Sequence, residues 1–102
     1  MTNQKRFNVA VVGATGAVGE QIIALLEKRQ FPIQSLKLLS SARSAGKKIM
    51  FNGQEFTVEE AKPESFEGID IALFSAGGDV SKELAPAAVE RGAVCIDNTN
   101  AF

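Results

Sequence analysis

The stretch Val9-Ala10-Val11-Val12-Gly13-Ala14-Thr15-Gly16-Ala17-Val18-Gly19 decides the fold of this chain. Small apolar residues lead directly into glycines at every third position, and an amphipathic segment follows at once. This order predicts a buried strand, a tight turn and the N-terminus of a helix. Glycine lets a phosphate group approach the turn closely, and the first N–H groups of the helix point towards it. The stretch therefore predicts a dinucleotide pyrophosphate site, and a glycine turn with only a structural role is the alternative.

The glycine spacing is one residue longer than in the usual dinucleotide motif, because Ala14 and Thr15 replace a single residue. Its place between a buried strand and a helix still favours binding. Gly19 is predicted to let the helix pack closely on the sheet. The residues predicted to bind the cofactor at this turn are Gly13, Thr15, Gly16, Ala17 and Val18.

Composition narrows the class of protein. The chain has 102 residues, a net charge of −1 and 45% hydrophobic residues, which is typical of one soluble domain. It has no block of like charges, so no nucleic-acid or membrane-surface partner is expected. No apolar run approaches the roughly 20 residues of a membrane span. The polar N-terminus does not resemble a signal peptide, and the single Cys95 fits a reducing compartment, so a cytoplasmic location is expected.

Strands alternate with helices along the chain, which predicts an α/β fold with a Rossmann-like, doubly wound and mostly parallel sheet. Pro86 is expected to kink the second helix or split it in two. The predicted strands are Phe7–Val12, Ser35–Ser40, Ile69–Phe74 and Ala93–Asp97, and the predicted helices run from Ala17 to about Gln30 and from Asp79 to Arg91.

A β-hairpin is expected as an insertion in this fold. Asn52-Gly53 suits a type I′ turn between a strand at Lys48–Phe51 and another at Gln54–Val58. The residues from Glu59 to Gly68 are predicted to be a connector with at most a short helical turn around Pro63.

The loop after the second strand bears on the choice between NAD and NADP. An NAD site usually has an acidic residue at this point, but the sequence has none between Glu27 and Glu55. It has Ser41, Arg43 and Ser44 instead, a guanidinium group among hydroxyls, which suits the 2′-phosphate of NADP. NADP is therefore the predicted cofactor, and a solvated basic loop is the alternative.

Two further loops are predicted to reach the same edge of the sheet, where ligands of such folds bind. In the turn Ser75–Gly78, Ala76 and Gly77 would let the nicotinamide half of the cofactor pass close to the backbone. The alternative is a helix N-terminus that merely needs small residues. Asn98, after the last strand, either contacts the nicotinamide or holds the turn.

No catalytic residue and no metal ligand are predicted. Cys95 lies in an apolar strand, and the sequence contains no histidine that could activate it. It is therefore interpreted as a core residue. Asp70 and Asp97 likewise have no evident partner for acid–base chemistry.

Four segments in the same order strongly resemble the bacterial aspartate-β-semialdehyde dehydrogenases. They are Gly13–Gly19, Ser41–Gly46, Phe74–Gly78 and Ile96–Phe102. The resemblance covers the whole chain but corresponds to roughly the first third of such an enzyme. It implies NADPH-dependent reductive dephosphorylation of L-aspartyl-4-phosphate to aspartate semialdehyde, a step towards lysine, threonine, methionine and diaminopimelate.

The resemblance also implies roles for single residues. Thr15 to Val18 would bind the pyrophosphate, Arg43 and Ser44 the 2′-phosphate region, and Asn98 would lie near the nicotinamide. In this family a cysteine forms a thioester with the substrate, and a histidine acts as acid and base. Both follow beyond the motif that ends at Phe102, and Cys95 does not match the cysteine's position.

Residues 1–102 are therefore expected to be a truncated NADP-binding domain that is inactive alone, without the catalytic and dimerisation domain. The full-length enzyme is expected to be a homodimer or homotetramer. Two alternatives stay open at this point: an enzyme like N-acetyl-γ-glutamyl-phosphate reductase, and a non-catalytic nucleotide-binding module.

Overall fold

A computed structural model of the chain describes residues 6–75 and 78–97, with residues 78–81 and 97 described by their backbone alone. Strands and helices alternate along most of this length, with a hairpin between the second and the fifth strand. In chain order the elements are β1 (Phe7–Val12), α1 (Ala17–Lys28), β2 (Ile33–Ser40), a 3-10 helix (Ala42–Ser44), β3 (Lys48–Phe51), β4 (Gln54–Thr57), β5 (Glu59–Glu60), a second 3-10 helix (Pro63–Phe66), β6 (Ile71–Phe74), α2 (Gly78–Glu90) and β7 (Val94–Asp97).

The main sheet has five strands in the order β5-β2-β1-β6-β7, and every neighbouring pair is parallel. β1 is the central strand: Val9 lies between Leu36 of β2 and Ile71 of β6. The predicted parallel sheet is thereby confirmed. Because all strands run the same way, their carboxyl ends share one edge, where the loops after β1, β2 and β6 begin.

Helices cover both faces of the sheet, as the doubly wound prediction requires. Val9 and Val11 of β1 belong to the cluster that contains Ile22 and Ile23 of α1. Ala10 and Val12 face the other way, into the cluster formed with Leu84 and Ala88 of α2. This alternation follows from the two-residue period of a strand. All four residues of β1 in these clusters are at most 1% exposed, so the apolar run Val9–Val12 is buried on both faces.

The predicted hairpin is also confirmed. β3 and β4 form a separate antiparallel pair, with Phe51 opposite Gln54. Asn52 and Gly53 between them both have positive φ, 52° and 77°, as a type I′ turn requires. Phe51 packs in the cluster on the α1 side of the sheet, so the hairpin extends that layer.

Several predicted boundaries were wrong by one or two residues. β2 begins at Ile33 instead of Ser35, because Ile33 pairs with Phe7. α1 ends at Lys28, before the predicted Gln30, and the chain reverses there through a left-handed Gln30 with φ 52°. β6 begins at Ile71 instead of Ile69, β4 ends at Thr57 instead of Val58, β7 begins at Val94 instead of Ala93, and α2 runs from Gly78 to Glu90 instead of from Asp79 to Arg91.

Three predictions need larger corrections. Pro86 does not split α2, which is continuous around it. Pro86 is exposed there, so water can reach the carbonyl of Lys82, which has lost its helical partner. The predicted connector after the hairpin contains the short strand β5, which pairs with the end of β2. The predicted loop after the second strand contains the 3-10 helix Ala42–Ser44.

The strand β7 differs from β1 in its surroundings. Within the described residues it has one strand neighbour, β6. Val94 and Ile96 are 62% and 44% exposed, whereas Ala93 packs in the core on the α2 side. None of the helices in the described part of the chain is long and apolar enough to cross a membrane.

Candidate functional site

The turn between β1 and α1 is held against the end of β2. Gly13 has φ 87°, a left-handed conformation that favours glycine. The backbone N–H groups of Gly13 and Ala14 both donate to the carbonyl oxygen of Leu39, at 2.8 and 3.0 Å. Gly16 N–H donates to the carbonyl of Gly13 at 3.0 Å, which closes the turn. The shape of the turn is therefore set by backbone hydrogen bonds within the chain.

Gly19 brings α1 into contact with this turn. A Cβ atom at Gly19 would lie 2.0 Å from the carbonyl oxygen of Gly13 and 3.0 Å from the Cα of Ala14. The predicted close packing of α1 at Gly19 is confirmed. The helix contacts the backbone of the turn there, however, and not the strands of the sheet. Gly16 is less constrained, because a Cβ there would lie 3.5 Å from the same oxygen.

The N-terminus of α1 has free hydrogen-bond donors. Gly16 is the N-cap and has no side chain that could cap the helix, and no other described side chain does so. The first helical bond runs from Glu20 N–H to Gly16 O, at 2.9 Å. Ala17 and Val18 therefore have backbone N–H groups without a helical acceptor, at the positive end of the helix dipole. This arrangement can bind an anion such as a phosphate group.

Hydroxyl groups of Thr15, Ser40 and Ser75 join this turn to neighbouring strands. The hydroxyl oxygens of Thr15 and Ser40 lie 3.0 Å apart, which links the turn to the last residue of β2. The hydroxyl of Ser75, after β6, donates to the carbonyls of Val12 at 2.9 Å and Gly13 at 3.2 Å. Neither Ser40 nor Ser75 is among the residues that the sequence assigns to the cofactor. Their position directly after buried strands is the signal that could have identified them.

A cavity of about 390 Å³ opens at this edge of the sheet. It lies between the ends of β1, β2 and β5 and one side of α2. Its volume is in the range of small-molecule sites. Of the predicted residues, Gly13 and Ser41 line it. Arg43 and Ser44 belong to the adjacent 3-10 helix. Among the described residues, the lining consists of Val12, Gly13, Ser40, Ser41, Ala42, Glu60, Ala61, Glu83 and Leu84.

The charged residues that line the cavity are Glu60 and Glu83. Neither was predicted from the sequence, because an acidic residue that binds the cofactor is expected at the end of the second strand or in its loop. Glu60 reaches the cavity because β5 pairs with β2, which places Glu60 opposite Ser40. Arg43 is exposed and forms no ion pair within the described residues. Its guanidinium group is therefore available to a ligand at the rim.

Other candidate residues lie away from this edge or outside the described chain. The carboxylate of Asp70 accepts the backbone N–H of Asn8 at 2.7 Å, at the opposite end of the sheet, which is a structural role. The thiol of Cys95 is directed at the carbonyl of Ala85, with Sγ and O 3.6 Å apart. Burial raises the pKa of Cys95, which favours the unreactive thiol form. The placement of Ala76, Gly77 and Asn98 lies outside the described residues and stays a prediction.

Comparison with known proteins agrees with this geometry. The family model "Semialdehyde dehydrogenase, NAD binding domain" matches residues 8–102. An aspartate-semialdehyde dehydrogenase of Bacillus subtilis is 67% identical over 95 residues, which cover 93% of this chain and 28% of that protein.

Solved structures show the same likeness. Aspartate semialdehyde dehydrogenase II from Vibrio cholerae, complexed with ASA, matches with a TM-score of 0.90 at 49% identity, over 96% of this chain and 32% of that one. The enzyme from Candida albicans, solved with NADP, matches with a TM-score of 0.79 at 30% identity, over 96% of this chain and 31% of that one.

The chain thus spans less than a third of the length of these relatives. The resemblance carried by the four sequence segments and the Rossmann-like fold are both confirmed. Because the family model matches residues 8–102, nearly the whole of this chain, the chain belongs to the semialdehyde dehydrogenase family and carries sequence of that family's NAD-binding domain.

Proposed function

We propose that this chain is the NADP-binding part of an aspartate-semialdehyde dehydrogenase that converts L-aspartyl-4-phosphate to aspartate semialdehyde by reductive dephosphorylation. NADPH bound at the cavity edge would supply the hydride. The names of the similar proteins favour this proposal over the two alternatives from sequence analysis. In the same proposal, the whole enzyme is a cytoplasmic homodimer or homotetramer.

The observation that carries the proposal is the uncapped N-terminus of α1 directly after the Gly13 turn. A pyrophosphate fits here because the N–H groups of Ala17 and Val18 have no helical acceptor. Gly16 places no side chain between these donors and the ligand, and Gly19 keeps the helix in contact with the turn. Thr15 can donate its hydroxyl to the same phosphates, since its Ser40 partner can act as donor or acceptor.

The 2′-phosphate of NADP would bind at the 3-10 helix after β2. Ser41 and Arg43 are both exposed there, and Ser41 also lines the cavity. Arg43 can form paired hydrogen bonds with a phosphate, and Ser41 and Ser44 add hydroxyl donors. These residues support NADP as the cofactor.

The nicotinamide would lie towards β6. Ser75 follows β6, and its hydroxyl donates to the Gly13 turn beside the proposed pyrophosphate site. Ala76 and Gly77 come next in the sequence. Together with Asn98, which follows β7, they are proposed to contact the nicotinamide half.

Direct titration of the 102-residue chain with NADPH and NADH, followed by cofactor fluorescence, tests this proposal. Arg43→Ala should weaken NADPH about tenfold and NADH by less than about twofold, since the guanidinium contacts only the 2′-phosphate. Arg29→Ala removes the same charge beyond the far end of α1 and is the matched control. Equal losses for both cofactors would remove Arg43 from this role. A folded chain that binds neither cofactor would overturn the proposal itself.

We expect the chain to have no dehydrogenase activity on its own. It contains no histidine, and Cys95 is a half-buried residue on the last described strand. Turnover of aspartate semialdehyde with phosphate and NADP by pure material, measured as NADPH absorbance, would contradict this expectation.

A further inference from the structure

The charges around the cavity are opposite in sign to those that a 2′-phosphate prefers. Glu60 and Glu83 line the cavity, whereas Arg43 lies in the neighbouring 3-10 helix. Carboxylates accept hydrogen bonds from hydroxyl and amino groups, and they repel phosphate. The lining therefore favours a ligand that presents hydroxyl groups to it.

Glu60 is placed beside the point where the ribose of a dinucleotide is usually recognised. In NAD sites an acidic residue at the end of the second strand binds the ribose hydroxyls. Here the last residue of β2 is Ser40, and Glu60 lies opposite it on β5. Neighbouring strands are about 4.8 Å apart, a distance that a glutamate side chain can span. Ala61 N–H donates to the carbonyl of Ser40 at 2.8 Å, which fixes the segment in this position.

The carboxylate of Glu60 is accessible to a ligand. Within the described residues it pairs with Lys62, whose Nζ lies 4.0 Å from Oε1, and the side chains of Lys62 and Glu60 are 57% and 46% exposed. Such an exposed pair is weak, because both groups are hydrated. Lys62 therefore does not hold Glu60 away from the cavity.

We infer that Glu60 is a specificity-determining residue that binds the ribose hydroxyls of NAD and opposes the 2′-phosphate of NADP. Arg43 and Glu60 then act on the same part of the cofactor with opposite preferences. This inference rests on the proposed function, because it needs the dinucleotide to bind at this edge of the sheet.

Glu60→Gln tests the inference, and Glu59→Gln is the matched control. Both variants remove one negative charge from β5, but alternate residues of a strand face opposite ways, and only Glu60 lines the cavity. Dissociation constants for NADH and NADPH are measured for the wild type and for both variants. In Glu60→Gln we expect NADH to bind about threefold more weakly and NADPH about threefold more tightly, as for a partly exposed charge. Glu59→Gln should leave the ratio of the two constants unchanged.

Ligands that contain only the adenosine half of the cofactor test whether Glu60 acts at the 2′ position. Titration with 5′-AMP and with adenosine 2′,5′-bisphosphate should show the same opposite shifts, because these probes differ only at the 2′ position. If Glu60→Gln changes both cofactors equally, or no more than Glu59→Gln does, the inference is wrong while the proposed function stands. If the folded wild-type chain binds neither NADH nor NADPH, the proposed function fails and the inference falls with it.

Discussion

The strands β1 and β7 have similar sequences but different surroundings. Each contains a short apolar run, Val9-Ala10-Val11-Val12 in β1 and Val94-Cys95-Ile96 in β7. In β1 all four residues are at most 1% exposed, whereas Val94 and Ile96 of β7 are 62% and 44% exposed. The comparison shows that an apolar run predicts a strand, but that its place in the sheet decides whether both faces are covered.

The reason is the distribution of helices over the sheet. α1 and the hairpin cover one face at β1 and β2, and α2 covers the opposite face at β6 and β7. On the α1 side, Ile71 and Leu73 of β6 are only half-buried, and their partners in register are Val94 and Ile96. The described residues thus complete the core around β1 and leave one face of β7 open to solvent.

Truncation of one large apolar side chain in each region should sharpen this contrast most. Leu39→Ala, next to β1, should lower the free energy of unfolding by about 3 kcal/mol, because Leu39 is fully buried and its removal leaves a cavity. Ile96→Ala should lower it by less than about 1 kcal/mol. Urea unfolding followed by circular dichroism measures both values. Equal losses would show that β7 is buried in solution and that the contrast is false.

Glycine replacements at the two helix junctions should give the next largest difference. Gly19→Ala should cost about 2–3 kcal/mol, because its Cβ would overlap the backbone of Gly13, which cannot move without breaking the turn. Gly92→Ala, between α2 and β7, meets no atom within 4 Å and carries only the cost of its positive φ, about 1 kcal/mol.

Urea unfolding measures the loss of unfolding free energy in both variants and shows which loss is larger. Nicotinamide cofactor binding is a second readout, because a shifted α1 moves the free N–H groups. A Gly19→Ala protein with the stability and NADPH affinity of the wild type would contradict the close contact.

The open face of β7 should bind a hydrophobic dye. Replacing Val94 and Ile96 together by threonine keeps strand propensity but removes apolar surface, so dye fluorescence should fall. Because both side chains are largely exposed, the free energy of unfolding should change by about 0.5 kcal/mol or less. Unchanged fluorescence would place the dye site elsewhere.

The smallest expected effect concerns the reactivity of the thiol of Cys95, which lies on the covered side of β7. Burial raises its pKa in the folded chain, so less thiolate is present at a given pH than in the unfolded chain. Alkylation by iodoacetamide should therefore rise at higher pH in the native protein than in urea.

The sign for stability follows from the same shift. The folded state favours the protonated thiol, so this contribution is present below the ordinary thiol pKa and is lost as the pH rises above it. A native alkylation profile at lower pH than the unfolded one would contradict the burial of Cys95.

Local sequence signals predicted much of this architecture. The Gly13 turn, α1 and the Asn52-Gly53 hairpin depend on residues close together in the chain, and each was found in the predicted place. β5 could not be predicted in this way. Its two glutamates have low strand propensity, and the strand exists because it pairs with the end of β2 far along the sequence.

The same limit applies to the candidate site. The sequence showed which loops carry glycine, serine and arginine, and the structure brings Gly13 and Ser41 to one cavity. The presence of Glu60 there depends on strand pairing, and the bond between Thr15 and Ser40 depends on two loops meeting. Contacts between distant segments are set by packing, which a residue pattern does not specify.

The shared carbonyl of Leu39 has a consequence for the kinetics of binding. Because it accepts the N–H groups of both Gly13 and Ala14, the turn is ordered before a nucleotide arrives. A ligand then loses little affinity to loop ordering, and its association does not wait for a conformational step. Association should thus be governed by diffusion and orientation at this end of the sheet, so differences between nucleotides should appear in their dissociation rates.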